Sequence, residues 1–597
     1  MASDVKLEKT KNRLGDMVKS FKKYYIPFVV TVVLLVASVV LSILTPGKIQ
    51  SLTDTMYNAI ATGLFEGAET VVVPMNEVLT IVITLICFIV GSFICAAISG
   101  FVLNTIIQHY SRDIRKNILK KVNVLPLNYF DTKQIGDILS VVTNDVDTLS
   151  TSLQNSISML IEAAVTLVGV IIAMFISCWQ MAIAVLCSLP LMLAVLLVTF
   201  KFATPYFNKT QKVLGEVNAV VEENFSGQIV VKAFNAEDRK ISEFKEENEI
   251  LGKFLYGSQV LGGIIEPAMS LISYLTYAAI LIVGGLLVAK GTINPGAITG
   301  FLVYVSIFQK PLAELGQIGS TMQLGIAACN RVFTFLSEEE LPDESYKPAQ
   351  LDTDHIVGNV EFQDVCFGYD PSKLTIKHFS QKIQPGMKVA IIGPTGAGKT
   401  TLVNLLMRFY ETTSGDILID GKSIHDMQPS ELRKVFGMIL QETWVINGTL
   451  RENIVYNLQN VSEERLNQIL EETNLKHFVE TLPEGIDTVI QKESALSAGQ
   501  KQLVTIARAM AENAPMLILD EATSNVDTRT EILIQNAMDS LTKGRTSFVI
   551  AHRLSTIKNA DLIIAMKDGN VVETGNHDSL MKLNGLYAEL YNSQFNK

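Results

Sequence analysis

The sequence predicts an α-helical transmembrane domain fused to a cytoplasmic α/β domain that holds a phosphate-binding loop. Three observations predict it. First, apolar character is uneven. The 597-residue chain has a mean hydropathy of +0.30 and 18% charged residues, against about a quarter charged in a typical soluble protein. The surplus lies almost wholly before about residue 310. Second, that part contains apolar runs of the ~20 residues a helix needs to cross a ~30 Å hydrocarbon core. Third, the remainder alternates short β-branched runs with amphipathic stretches, and one junction carries the octet GPTGAGKT at 393–400.

The spans come first. Apolar runs cover Tyr24 to Leu44, Val78 to Ile107, Ile157 to Ile176, Met181 to Phe200 and Met269 to Ala289. A further run, Gly296 to Phe308, is short and stops near Lys310 and Pro311. Hydropathy alone therefore defines five spans and leaves the sixth open. No Lys or Arg lies between Lys48 and Arg112, or between Lys133 and Lys201. Basic residues gather in the N-terminal tail, at 112–133 and at 201–253, which marks those segments as cytoplasmic. Loops at 46–77, near 178 and near 291–295 then face outward. An even number of spans leaves the soluble half in the cytoplasm. The basic tail and long first run fit an uncleaved membrane helix better than a signal peptide.

Some function classes are excluded. A net charge of −11 argues against a nucleic-acid binder. None of the six cysteines forms a CxxC pair, so free buried thiols are expected. Glu162 and Glu266 are carboxylates in apolar surroundings. Each is a candidate for a substrate cavity; helix packing or an interfacial position would explain either as well.

In the soluble half, 338–355 (EEELPDESYKPAQLDTDH) reads as a linker. Gly393, Pro394, Thr395, Gly396, Ala397, Gly398, Lys399 and Thr400 match G-x-x-x-x-G-K-[ST] between a strand-like and a helix-like run, the context of a phosphate loop. Glycines let backbone N–H groups close around phosphate oxygens, and a helix N-terminus adds favourable partial charge. Lys399 should meet the β- and γ-phosphates of ATP, and Thr400 should ligate Mg²⁺; Thr401 opens the following helix. MLILDE at 516–521 reads as a buried strand ending in two acids. Asp520 would act on Mg²⁺, and Glu521 would polarise the attacking water. A third run, Ser547–Ala551, ends at His552, which is placed to reach the γ-phosphate.

ALSAGQKQLVTIARAM at 495–510 makes the pattern specific. It resembles the LSGGQ signature of the ATP-binding cassette (ABC) transporters, and the resemblance covers nearly the whole chain. It implies ATP as ligand, with Leu496, Ser497, Ala498, Gly499 and Gln500 offered to a partner's nucleotide. Tyr369 resembles the aromatic that stacks on adenine, and Gln441 the glutamine that touches Mg²⁺. Asp527 resembles the residue linking the two nucleotide sites, and His552 the switch histidine. NYFDTKQIGDILSVVTNDVD and SGQIVVKAFNAED resemble the two intracellular loops of bacterial multidrug-type exporters, each with a short transverse helix that docks on an ATPase domain. The family has six spans. Val142 stands where many relatives have arginine.

The resemblance implies a tail at 1–23, a transmembrane domain with two coupling loops at 24–335, a linker at 336–355 and a nucleotide-binding ABC ATPase domain at 356–597. It implies ATP-driven export of a small amphipathic molecule across the cytoplasmic membrane, in a lipid bilayer, by a pair of half-transporters. A lipid flippase and a peptide exporter share this architecture; a non-transporting ATPase and an importer are further alternatives. The signature departs from the family at Ala498, at 491–494 (QKES) and at Leu503, where relatives have glycine, a glycine- and arginine-containing stretch, and arginine. The phosphate loop, Gln441, Asp520, Glu521 and His552 are intact. That combination resembles the catalytically competent half of a heterodimer, whose partner would carry LSGGQ and a substituted catalytic acid. A homodimer tolerating one alanine is the alternative.

Overall fold

The computed structural model describes residues 13–65, 73–347, 355–370, 372–441, 443–458, 461–491, 496–520, 527–551 and 557–595. Two of the sequence candidates, Glu521 and His552, lie outside them. The chain divides into two compact units: Met1–Leu125 with Lys133–Glu339, and Pro126–Thr132 with Glu340–Lys597.

The first unit is helical. Its elements are α1 (Tyr25–Phe65) and α2 (Met75–Val124), then, after the short α3 (Leu127–Thr132) that belongs to the second unit, α4 (Ile135–Ser140), α5 (Val146–Ser177), α6 (Trp179–Leu186), α7 (Leu189–Ser226), α8 (Gln228–Ala233), α9 (Glu237–Gly263), α10 (Ile265–Ala289) and α11 (Pro295–Leu336). Among the described residues five helical stretches are long and apolar enough to cross a membrane. The 50 residues of α2 make a rod of about 75 Å, far longer than a ~30 Å core needs. The open sixth run lies within α11, a continuous helix of 42 residues. Hydropathy understates it because Gln309, Lys310 and Pro311 cut the apolar run short. Phe301, Val305 and Phe308 are fully buried, in one core with Met181, Val185, Met192 and Ile280. Outer faces carry exposed Val33, Ile86, Phe93, Val168 and Leu197, as a lipid-facing surface does.

Two expectations change. The loop expected at 46–77 is helical as far as Phe65. Its polar residues tie neighbouring helices instead of lying in a loop. Asp54 accepts a 2.7 Å hydrogen bond from Gly296 N–H, and Gln50 accepts one of 3.1 Å from Ser177. A Cβ at Gly296 would lie 2.3 Å from the Gln50 carbonyl oxygen, so the backbones of α1 and α11 meet there because of that glycine. The cysteines are free, but Cys87 and Cys187 are exposed rather than buried. Cys87 shares an outward apolar face with Ile83, Ile86 and Val90.

The second unit is α/β. Strands β1 (Val360–Phe367), β2 (Ile376–Ile383), β3 (Lys388–Ile392), β4 (Ser414–Ile419), β5 (Lys422–Ser423), β6 (Phe436–Ile439), β7 (Gly448–Thr449), β8 (Val489–Ile490), β9 (Met516–Asp520), β10 (Thr546–Ile550), β11 (Leu562–Lys567) and β12 (Asn570–Gly575) form three sheets. The six-stranded sheet runs β12-β11-β3-β10-β9-β6. All but β12 are parallel to their neighbours. Parallel strands are covered on both faces and so read as unbroken apolar runs; every residue of β10 is buried. Strands β2-β1-β4-β5 make a separate antiparallel sheet.

The start of the expected linker packs on this unit. Glu344 takes two 2.8 Å hydrogen bonds from the Arg408 guanidinium, which is 7% exposed and also bonds Glu411 at 2.8 Å. Met427 and Ile424 carbonyls take up the rest of that fork.

Candidate functional site

Parallel topology builds the site. Strands β3, β10, β9 and β6 all end at one edge of the sheet, where open α/β sheets bind ligands. The registers align Ile550 with Ile391 and with Asp520, and Ile439 with Leu519. So the phosphate loop after Ile392, Gln441 after β6 and Asp520 at the end of β9 stand at one edge. Asp520 is half-buried at that edge and Gln441 is exposed.

The phosphate loop joins β3 to α12 (Lys399–Leu406). Gly393, Gly396 and Gly398 have φ of +152°, +83° and +99°, the left-handed region that favours glycine. They are constrained differently. A Cβ on Gly393 would lie 2.3 Å from the Met566 carbonyl oxygen, and one on Gly398 2.6 Å from Ile376 Cδ1. A Cβ on Gly396 meets nothing within 4 Å, so its need is for backbone angle alone. Pro394 and Thr395 are exposed and Ala397 is buried. Lys399 is 9% exposed and its Nζ donates to the Gly393 and Pro394 carbonyls at 2.8 and 3.1 Å. Burial holds its ammonium below the ordinary lysine value, and the Asp520 carboxylate opposes that shift. Thr400 presents its side chain to solvent at the start of the helix, whereas Thr401 is buried. The Thr401 hydroxyl shares a 3.2 Å hydrogen bond with Tyr369.

Tyr369 is 47% exposed and packs edge-on against Phe367 and Tyr410, at 5.0 and 5.1 Å between ring centroids. The structure thus brings Tyr369, the phosphate loop and Asp520 into one place. It adds a residue that sequence reasoning misses. Tyr410 donates a short hydrogen bond to Asp131, in the segment that holds α3. Burial first, and Asp131 second, push its phenol above the ordinary tyrosine value. Its only signal in the sequence is an aromatic pair, Phe409–Tyr410, just past a helix end.

The signature turn is anchored elsewhere. Leu496 is buried in a core with Leu450, Ile454 and Leu466. Ser497 caps α13 (Ala498–Glu512) through a reciprocal box with Gln500, at 3.2 and 2.9 Å. The box leaves an exposed helix N-terminus, favourable to an anion. Ala498 is exposed, Gly499 buried and Gln500 half-buried. Alanine brings no backbone strain at the position where relatives have glycine. Ala498 is the first residue of the helix and is absent from the residues with positive φ, so its Cβ costs no backbone energy. Leu503 is 4% exposed within the same core. Asp527 acts locally. It caps α14 (Thr528–Thr542), accepting from Arg529 and Thr530 N–H groups at 3.1 and 3.0 Å. The Thr530 hydroxyl, donating at 2.7 Å, holds the Asp527 carboxyl below its ordinary value, with the backbone bonds adding to it.

Residues 28–312 match the family model described as ABC transporter transmembrane region, and 376–524 match that described as ABC transporter. The chain is 42% identical over 489 residues to the fatty acid ABC transporter ATP-binding/permease protein of Mycobacterium bovis, covering 82% of this chain and 77% of the relative. The chain belongs to the ABC transporters. This ABC transporter is also 34% identical to the ATP-dependent lipid A-core flippase of Syntrophus aciditrophicus, over 84% of its own length and 83% of the flippase. A solved bacterial Atm1-family ABC exporter with ATP bound matches with a TM-score of 0.73 and 26% identity, over 94% of this chain and 98% of that one. The transporter is a multi-pass membrane exporter, and its cytoplasmic ATPase domain hydrolyses ATP to drive transport.

Proposed function

We propose that this transporter exports small amphipathic molecules across the cytoplasmic membrane by alternating access, as one half of a dimer. One observation carries the dimer. The phosphate loop, Tyr369 and Asp520 gather in one place, while the signature turn opens a different helix and leaves that helix's N-terminus exposed. Such a turn suits a nucleotide on a second chain. ATP then favours closure because it contacts both halves only in the closed state.

Each residue has its own role in this reading. The phosphate-loop N–H groups and Lys399 hold the phosphates. Tyr369 stacks on the base. Glu521 orients the attacking water, and His552 bonds the γ-phosphate. The oxygen donors Thr400, Gln441 and Asp520 suit Mg²⁺, which binds through few protein ligands and keeps phosphate and water in its shell. Asp520 and Gln441 stand at the same sheet edge as the loop that leads to the exposed Thr400, and all three offer oxygen. When bound, Mg²⁺ neutralises charge between the β- and γ-phosphates.

We assign the partner as a non-identical half with an intact LSGGQ and a substituted catalytic acid. The Ala498 methyl, exposed where a nucleotide would approach, supports this. One observation favours the homodimer: alanine costs no strain at that site. Expressing this chain alone decides between them. The heterodimer requires weak ATPase activity, restored by a co-expressed second half. A stable self-dimer with full substrate-stimulated ATPase and transport contradicts it. The flippase relative gives a second cargo reading, a lipid, which is tested by including a lipid among the compounds offered for transport.

Coupling runs through the loop tips. Asp131 is bonded by Tyr410, which packs on Tyr369. At the other loop Ile229 and Phe234 are 84% and 79% exposed, apolar side chains that a partner would cover. Asp131→Ala or Phe234→Ala should reduce transport severalfold more than ATP binding. Equal transport by the variant altered at both tips would contradict the docking.

A further inference from the structure

Helices α1, α2, α5 and α11 enclose a cavity of about 390 Å³ in the membrane unit, within the ~300–1,000 Å³ of small-molecule sites. Its polar side is Ser38, Ser92, Glu162, Lys310 and Glu314; Val39, Ile43 and Ile307 line it with hydrocarbon.

The polar groups are not equivalent. Ser38 and Ser92 satisfy one another, each hydroxyl donating to the other's carbonyl at 2.9 Å, and so clamp α1 to α2. Lys310 pairs with Glu314 one turn on, at 3.8 Å. Glu162 has no hydrogen-bond or ion-pair partner among the described residues. Two carboxylates against one lysine leave a net charge of −1 on the lining.

Glu162 lies on α5 within the apolar run Ile157 to Ile176. An unpartnered carboxylate in an apolar span is costly and marks a pathway unless a cation meets it.

We propose that this cavity takes the protonated amine head of an amphipathic substrate, with Glu162 as its counter-ion and Val39, Ile43 and Ile307 against its hydrocarbon part. The inference rests on the export reading and narrows it to cationic amphiphiles. A carboxylate head would face two carboxylates and one lysine, so the lining favours a cation over an anion.

The test uses the transporter assembled with its partner half in proteoliposomes, with three probes of one chain length below their lytic concentrations: N,N-dimethyldodecylamine, dodecanol and dodecanoate. The amine should stimulate ATP hydrolysis saturably, and dodecanoate should not. Glu162→Gln should raise the half-maximal amine concentration tenfold or more, and Glu162→Asp should recover part of the loss. Glu246→Gln removes the same charge from an exposed position on α9, away from the cavity, and its half-maximal concentration should stay within twofold of the unaltered protein. Unchanged amine response in Glu162→Gln, or stimulation by dodecanoate in preference to the amine, overturns the inference and leaves export standing. No stimulation or transport of any amphiphile in a wider panel overturns the export reading and this inference with it.

Discussion

Glu521→Gln should leave ATP bound and cut turnover by about 10²–10⁴-fold, the usual contribution of a general base. The amide keeps the size and shape of the acid and loses its basicity. Binding energy for closure is then retained while the step that releases it is lost, so an ATP-occupied closed dimer should accumulate. The placement supports the assignment. Glu521 follows Asp520 in sequence, and Asp520 is the last residue of β9, at the sheet edge that also delivers the phosphate loop. Single-turnover ATP hydrolysis by the variant, assembled with its partner, checks this. Hydrolysis at near the normal rate would remove Glu521 from the base role.

Lys399→Ala should weaken ATP binding by roughly ten- to a hundredfold, the equivalent of a charge-assisted contact of about 1.5–3 kcal/mol. Lys399 is already positioned. Its ammonium rests on the Gly393 and Pro394 carbonyls, and the assignment requires those bonds to be exchanged for phosphate oxygens on binding. Its removal therefore acts on the loop's shape as well as its charge. Nucleotide titration of this chain's own site reads the effect. An unchanged affinity would rule the assignment out.

The phosphate loop was legible because three constraints coincide in few residues. Its glycines, its lysine and the buried strand before it are each local, and the structure places Gly393, Gly396 and Gly398 at positive φ. The strand ending at Asp520 was legible for the same reason. Helix α11 was not legible from hydropathy: Gln309, Lys310 and Pro311 cut its apolar run short after Phe308. The family resemblance supplied that span. The extension of α1 was hidden because Gln50 and Asp54 look like loop residues until their partners on α5 and α11 are known. Ala498 shows the reverse error. Glycine in the family pattern reads like a demand for a special backbone angle, yet the position is the first turn of a helix, where alanine is at ease. Glu162 was legible as an acid in an apolar run, but the residues that line its cavity, and the Tyr410–Asp131 bond, were beyond the sequence since each depends on residues brought from distant segments.

The central claim is that ATP hydrolysis at this chain's phosphate loop moves an amphipathic molecule across the bilayer. It is tested most directly in proteoliposomes carrying the assembled transporter, with the ATPase domains outward and a panel of cationic, neutral and anionic amphiphiles including a lipid. At least one compound should accumulate inside the vesicles with ATP, and fail to do so with Glu521→Gln in place. Sustained ATP hydrolysis with no compound moved, or accumulation that persists in Glu521→Gln, would contradict the account.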